Sequence, residues 1–125
     1  MSRRAIIDHI ALSGLDSTAK RLSYLNKLVE ENHEETPMGA ASLRWFADFV
    51  TKKQLPEPKI GLNPDGSIHG IWWADDHDGI LTMDFLPSGE IRYAAVLQDS
   101  GWSVSDVSPP SRMMEKIEPF KRVLD

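Results

Sequence analysis

The chain has 125 residues, 19 acidic and 14 basic, a formal charge of −5, 41% apolar residues, four tryptophans and no cysteine. This composition excludes disulfides, thiolate metal sites and a cysteine nucleophile. It disfavours duplex nucleic acid as a partner, because such binding neutralises phosphates, and it fits one globular domain, residues 1–125. No run approaches the roughly 20 apolar residues of a membrane span. At the start, the basic pair Arg3-Arg4 is followed by only three apolar residues before Asp8, unlike a secretory signal, so a cytoplasmic protein is expected.

Ile6, Ile7, Ile10 and Ala11 recur at helical spacing before Ser13-Gly14, which predicts a short first helix of one or two turns. Asp16-Ser17 offers an N-cap for a second, with Ala19, Leu22, Leu25, Leu28 and Val29 on one face. Residues 32–35 read as a polar link. Within it, His33-Glu34-Glu35 lacks the second histidine of a zincin site. Thr36-Pro37 reads as the start of a third helix running to Gln54, with Leu43, Phe46, Ala47 and Val50 on a stripe widened by Trp45 and Phe49. So broad a stripe implies packing on two sides. Leu55-Pro56-Glu57-Pro58 stops the helix and leads stiffly into the first strand.

Residues 58–107 carry most of the strand formers. Asn63-Pro64-Asp65-Gly66 and Leu86-Pro87-Ser88-Gly89 share one grammar: proline presets φ at the second turn position and glycine takes the left-handed conformation that closes a bulged hairpin. Between them the polar cluster 74–79, ending in Gly79, joins strand two to strand three. Alternation places Leu81, Met83 and Phe85 opposite Thr82 and Asp84, and Ile91, Tyr93, Ala95 and Leu97 opposite Arg92 and Ala94. Strand two is split, with Ile68 and Trp72 on one face and Ile71 and Trp73 on the other; Gly70 weakens it or admits another backbone. A fifth strand, 102–107, turns Trp102 and Val104 inward. The expected fold is therefore α+β: two or three N-terminal helices in 1–54, a four- or five-stranded antiparallel meander in 58–107, and a C-terminal helical segment in 109–125. Met113, Ile117, Phe120 and Leu124 give that last segment an apolar stripe, and Pro119 kinks it or splits it in two.

The richest cluster of chemistry-bearing side chains is Asp75, Asp76, His77 and Asp78, with Asp65, His69 and Asp84 as possible neighbours in the sheet. Oxygen and imidazole ligands suit a divalent metal, which makes Asp76, His77 and Asp78 a candidate metal set for a small metal-dependent enzyme. Fitting the calcium-loop pattern with Gly79 at its sixth position leaves Ala74 and Phe85 where the first ligand and the bidentate glutamate belong, so that motif fails. Aspartates that bond their own turn explain the same residues. Asp84 is the best general-base candidate, although a cross-strand Asp84/Arg92 ion pair accounts for it without catalysis. Phosphate loops, nucleophile elbows and dinucleotide fingerprints are missing from the sequence. No cofactor and no catalytic residue follows.

Trp73 is a candidate interface anchor, since tryptophan is enriched at hot spots. Base stacking by the same aromatics wants basic neighbours, and here they are acidic. Trp73, the acidic turn Asp75, Asp76, His77 and Asp78, and Phe120 of the last helix are thus the candidate partner-binding residues, for a protein partner; an oligomer is also compatible with the sequence.

The run Leu55-Pro56-Glu57-Pro58, Pro64-Asp65-Gly66-Ser67-Ile68 with Trp72-Trp73, Leu81 to Phe85 and Gly89-Glu90-Ile91-Arg92-Tyr93 resembles a segment of small bacterial and phage α+β proteins, some of them antitoxin-like or defence-associated. The resemblance covers residues 55–95. It implies a bacterial or phage protein that binds another protein, and it carries over no catalytic residue.

Overall fold

The computed structural model describes residues 2–32 and 36–124; the His33–Glu35 segment discussed above lies outside them. Three helices, α1 (Arg3–Leu12), α2 (Asp16–Glu31) and α3 (Ala40–Val50), precede five strands. These are β1 (Lys59–Leu62), β2 (Ile68–Ala74), β3 (Gly79–Phe85), β4 (Ile91–Leu97) and β5 (Trp102–Ser108), followed by α4 (Met113–Lys116) and α5 (Glu118–Leu124). The sheet is an antiparallel meander in the order β1-β2-β3-β4-β5. The fold is α+β, as the periodicity implies.

Local chemistry explains most boundaries. Ser2 caps α1 by accepting from the Ala5 amide, and Gly14, at φ +88°, follows its C-terminus in the left-handed conformation. The helix has ten residues, longer than the one or two turns expected. Helix α2 begins at Asp16 itself, so Asp16 is its first residue and not its cap. Leu15 at the cap position supplies no side-chain acceptor. The Glu57 carboxylate supplies one from 39 residues away, accepting from the Thr18 amide at 3.2 Å and the Thr18 hydroxyl at 2.9 Å. A negative charge at this end also complements the helix dipole. The cap thus ties α2 to the lead-in of β1.

Helix α3 starts at Ala40, three residues later than Pro37, and ends at Val50, short of Gln54. Thr36–Gly39 is used instead to meet the first hairpin: the Gly39 amide bonds the Gly66 carbonyl at 2.8 Å, and the Arg3 guanidinium bonds the Met38 carbonyl at 2.9 Å. At the other end Lys53 turns left-handed at φ +54° and breaks the helix. Phe46 and Phe49 meet Phe85 of the sheet with centroids 5.1 and 5.5 Å apart. Ser42, fully buried where α3 crosses the sheet, donates to the Phe85 carbonyl and accepts from the Ile68 amide at 2.9 Å. Since Ile68 and Phe85 face each other in register, this hydroxyl bolts the helix to the β2–β3 pair.

The two hairpin turns repeat as expected. Gly66 and Gly89 adopt φ +89° and +96°, and each bonds back to the turn's first carbonyl, at Asn63 and Leu86. In the third turn, a 3-10 turn over Asp75–His77, the left-handed residue is Asp78 at φ +45°, and Gly79 already belongs to β3. A Cβ on Gly79 would stand 2.7 Å from Leu97 and 3.2 Å from Phe120, so that glycine exists for packing. Gly70 likewise yields its space to the Trp72 ring, 3.0 Å from where its Cβ would be, and not to a second backbone.

Among the described residues, the five helices all pack on one face of the sheet. Ile68, Trp72, Leu81, Met83, Phe85, Ile91 and Tyr93 meet Ile6, Ile10, Leu22, Leu43 and Phe46 in a single core, against which Trp102 and Val104 pack from β5. The C-terminal stripe closes the same core. Pro119 cannot continue the helix above it, and the segment is split into α4 and α5 as expected. Phe120 is 0% exposed and abuts Gly79. It is therefore a core residue, which removes it from the partner-binding candidates.

Candidate functional site

Because the helices share one side, none of the described helices covers the sheet's other side. Period-two alternation and the antiparallel register arrange its side chains in rows. One row runs His69, Asp84, Arg92, Val107; the next Lys59, Ile71, Thr82, Ala94, Ser105; the third Trp73, Ile80, Val96, Ser103. The adjacent tryptophans separate as the alternation requires. Trp72 is 3% exposed and donates from its indole N–H to the Pro56 carbonyl at 2.8 Å, whereas Trp73 is 46% exposed. Ile80, directly across from Trp73, is 38% exposed, and Val107 at the far edge 44%. Ile71, Ala94 and Val96 fill the middle and are half-buried. An apolar field is thus presented to solvent on a hydrogen-bonded platform.

The polar end of this face is a built network. Asp84 accepts from Asn63 at 2.8 Å and His69 Nδ1 at 2.6 Å through one oxygen, and from Arg92 Nε and Nη2 at 3.0 Å through the other. Burial by itself raises the Asp84 carboxyl; the hydrogen bonds from Asn63, His69 and Arg92 outweigh it and hold the group below the usual carboxylate value. An acid held ionised by three donors is a poor proton acceptor. The cross-strand ion pair is the reading the geometry supports for Asp84, and Asn63, which the sequence pattern did not single out, completes it.

The larger cluster proposed from the sequence does not assemble. His69 and Asp84 lie at one end of β2 and β3, and Asp75–Asp78 at the other, about 20 Å away at ~3.3 Å per strand residue. Asp65 turns back on its own loop, accepting from the Ser67 amide at 2.9 Å and hydroxyl at 2.7 Å, bonds that lower its pKa. His77 Nδ1 pairs with Asp99 of the β4–β5 turn at 2.5 Å rather than with Asp76 or Asp78. Among the described residues, no group of three or more His, Asp or Glu is placed to hold a metal ion. The Asp75–Asp78 segment is an exposed acidic rim to the apolar field.

Trp73 stands between two hollows on this rim. One, of about 280 Å³, is lined by Trp73, Asp75, Asp78, Gly79, Ile80 and Gln98. The other, of about 270 Å³, is lined by Trp73, Asp75, Asp76, His77, Val123 and Leu124 among others. A larger cleft of about 700 Å³ between α2 and β1 is lined by Thr18, Arg21, Glu57 and Lys59. Its helix terminus is already capped by Glu57, so it is a structural junction. Among the described residues no helix is long and apolar enough to cross a membrane. Comparison with protein-family models, curated proteins and solved structures finds no match to the chain.

Proposed function

We propose that this protein is a non-enzymatic binding factor that docks another protein on the bare face of its sheet, with Trp73 as the anchor and the Asp75–Asp78 turn as the rim. The observation that carries the reading is the exposure of Trp73, Ile80 and Val107 on the face that none of the described helices covers, while the other face holds the core cluster. Leaving a tryptophan 46% exposed forfeits burial that folding alone would favour. Four strands of seven residues and β1 with four, at ~3.3 Å per residue and ~4.8 Å between strands, give a plan of about 500 Å². With the turns at either end, this approaches the ~800 Å² that a standard interface buries on each partner.

The resemblance of residues 55–95 to small bacterial and phage proteins supports an antitoxin, immunity or defence-modulating role in the cytoplasm of such a host. The test is comparative affinity capture from that host. The wild-type chain recovers a stoichiometric partner that Trp73→Ala and Ile80→Glu lose and that Lys27→Ala, on the exposed side of α2, retains. Retention by both face variants with loss in Lys27→Ala would move the interface to the helical layer and end this reading.

A further inference from the structure

The charge of the chain is unevenly placed. Residues 58–107, the sheet and its turns, hold eight of the 19 acidic residues and only two of the 14 basic ones, Lys59 and Arg92. The segment's formal charge is −6, and the rest of the chain sums to +1. Arg92 is spent on Asp84 at 3.0 Å. Asp75, Asp76 and Asp78 are exposed. Among the described residues no ion pair involves their carboxylates, and two hollows beside Trp73 are lined by them.

From this distribution, and resting on the docking role proposed above, we infer that the partner presents a basic protein surface: an apolar centre that covers Ile71, Trp73, Ile80 and Val96, and Arg or Lys side chains that enter the hollows beside Trp73. A cation there meets the face or edge of an indole and carboxylates on either side, so cation–π attraction and Coulomb attraction act together. The same charge argues against a second copy as occupant. Face-to-face pairing would bring two Asp75–Asp78 rims into one contact, and the cations of the face do not offset them: Arg92 is already paired with Asp84, which leaves Lys59, in the row of Ile71, against Asp75, Asp76 and Asp78 in each copy. Attraction across such a face steers encounter and weakens steeply with salt.

The test uses the full ¹⁵N-labelled chain and two blocked synthetic peptides of equal length, one alternating Arg and Leu, the other Glu and Leu. The Arg/Leu peptide is expected to shift the Trp73 indole N–H, assigned with Trp73→Phe, together with the Ile80 and Val96 amides. Raising salt from 50 to 300 mM is expected to weaken this binding at least tenfold. Asp75→Asn/Asp76→Asn/Asp78→Asn is expected to lose at least tenfold in affinity at an unchanged melting temperature. Equal binding of the Glu/Leu peptide to the same residues would overturn the basic partner and leave the docking face standing. If neither peptide moves that face, the docking reading falls too. Concentration-dependent dimerisation in sedimentation, abolished by Trp73→Ala, would overturn the inference in favour of a second copy.

Discussion

Neighbouring tryptophans with opposite roles allow a sharp comparison. Trp72 is 3% exposed, lies over Gly70 and satisfies the Pro56 carbonyl; Trp73 is 46% exposed beside Ile80. Burying a tryptophan removes roughly 150–250 Å² from water, which at about 25 cal/mol/Å² is an upper limit of about 4–6 kcal/mol. Trp72→Ala forfeits nearly all of that and leaves an unpaired carbonyl, so a loss of about 3–5 kcal/mol is expected. Trp73→Ala forfeits about half of that burial, at most about 2–3 kcal/mol, at a site where water already reaches the ring, and a cross-strand pair with Ile80 worth up to about 1 kcal/mol, for an expected total of about 2–3 kcal/mol. Urea denaturation of the two variants, compared at equal m-values, reads the difference directly. A gap of about 1.5 kcal/mol is expected. Equal losses would mean that Trp73 is a structural residue, and the case for an anchor kept exposed for binding would collapse.

Three further outcomes follow from the packing. Ser42→Ala strands the Ile68 amide and the Phe85 carbonyl in the core and should cost about 2–4 kcal/mol in the same assay, whereas a loss under 1 kcal/mol would show that the two backbones can pair without it. Gly79→Ala should cost about 1–3 kcal/mol because its methyl meets Leu97 at 2.7 Å, while Gly61→Ala, with nothing within 4 Å, should stay within about 0.5 kcal/mol of wild type. The folded-state pKa of Asp84 is depressed below 3.8, so its contribution is present above that pH and lost as pH falls through the folded value. The stability gap between wild type and Asp84→Asn should therefore be constant just above pH 5 and narrow below about pH 4, and a gap that widens on acidification would contradict the network.

What the sequence determined by itself is local. Period-two alternation already separated Trp72 from Trp73 and gave β2 to β5 their inward residues, because side-chain direction in a strand depends only on parity. The proline–glycine turns set both hairpins through φ alone, and Pro119 broke the last helix for the same kind of reason. What only the tertiary structure decided is which neighbours distant segments find. Sequence pattern could not show that Glu57 would cap α2, that the buried Ser42 would bridge Ile68 to Phe85, or that Thr36–Gly39 would give up a helical turn to meet Gly66. Nor could it place Phe120 in the core rather than on a surface, since one apolar stripe reads the same whether its own sheet or a partner covers it. The division of the acidic residues into Asp84's network, His77–Asp99 and a free rim is likewise a matter of register, a relation between strands that no single strand encodes. That all five helices would gather on one side, leaving Trp73 in the open, was settled by the packing of the whole chain.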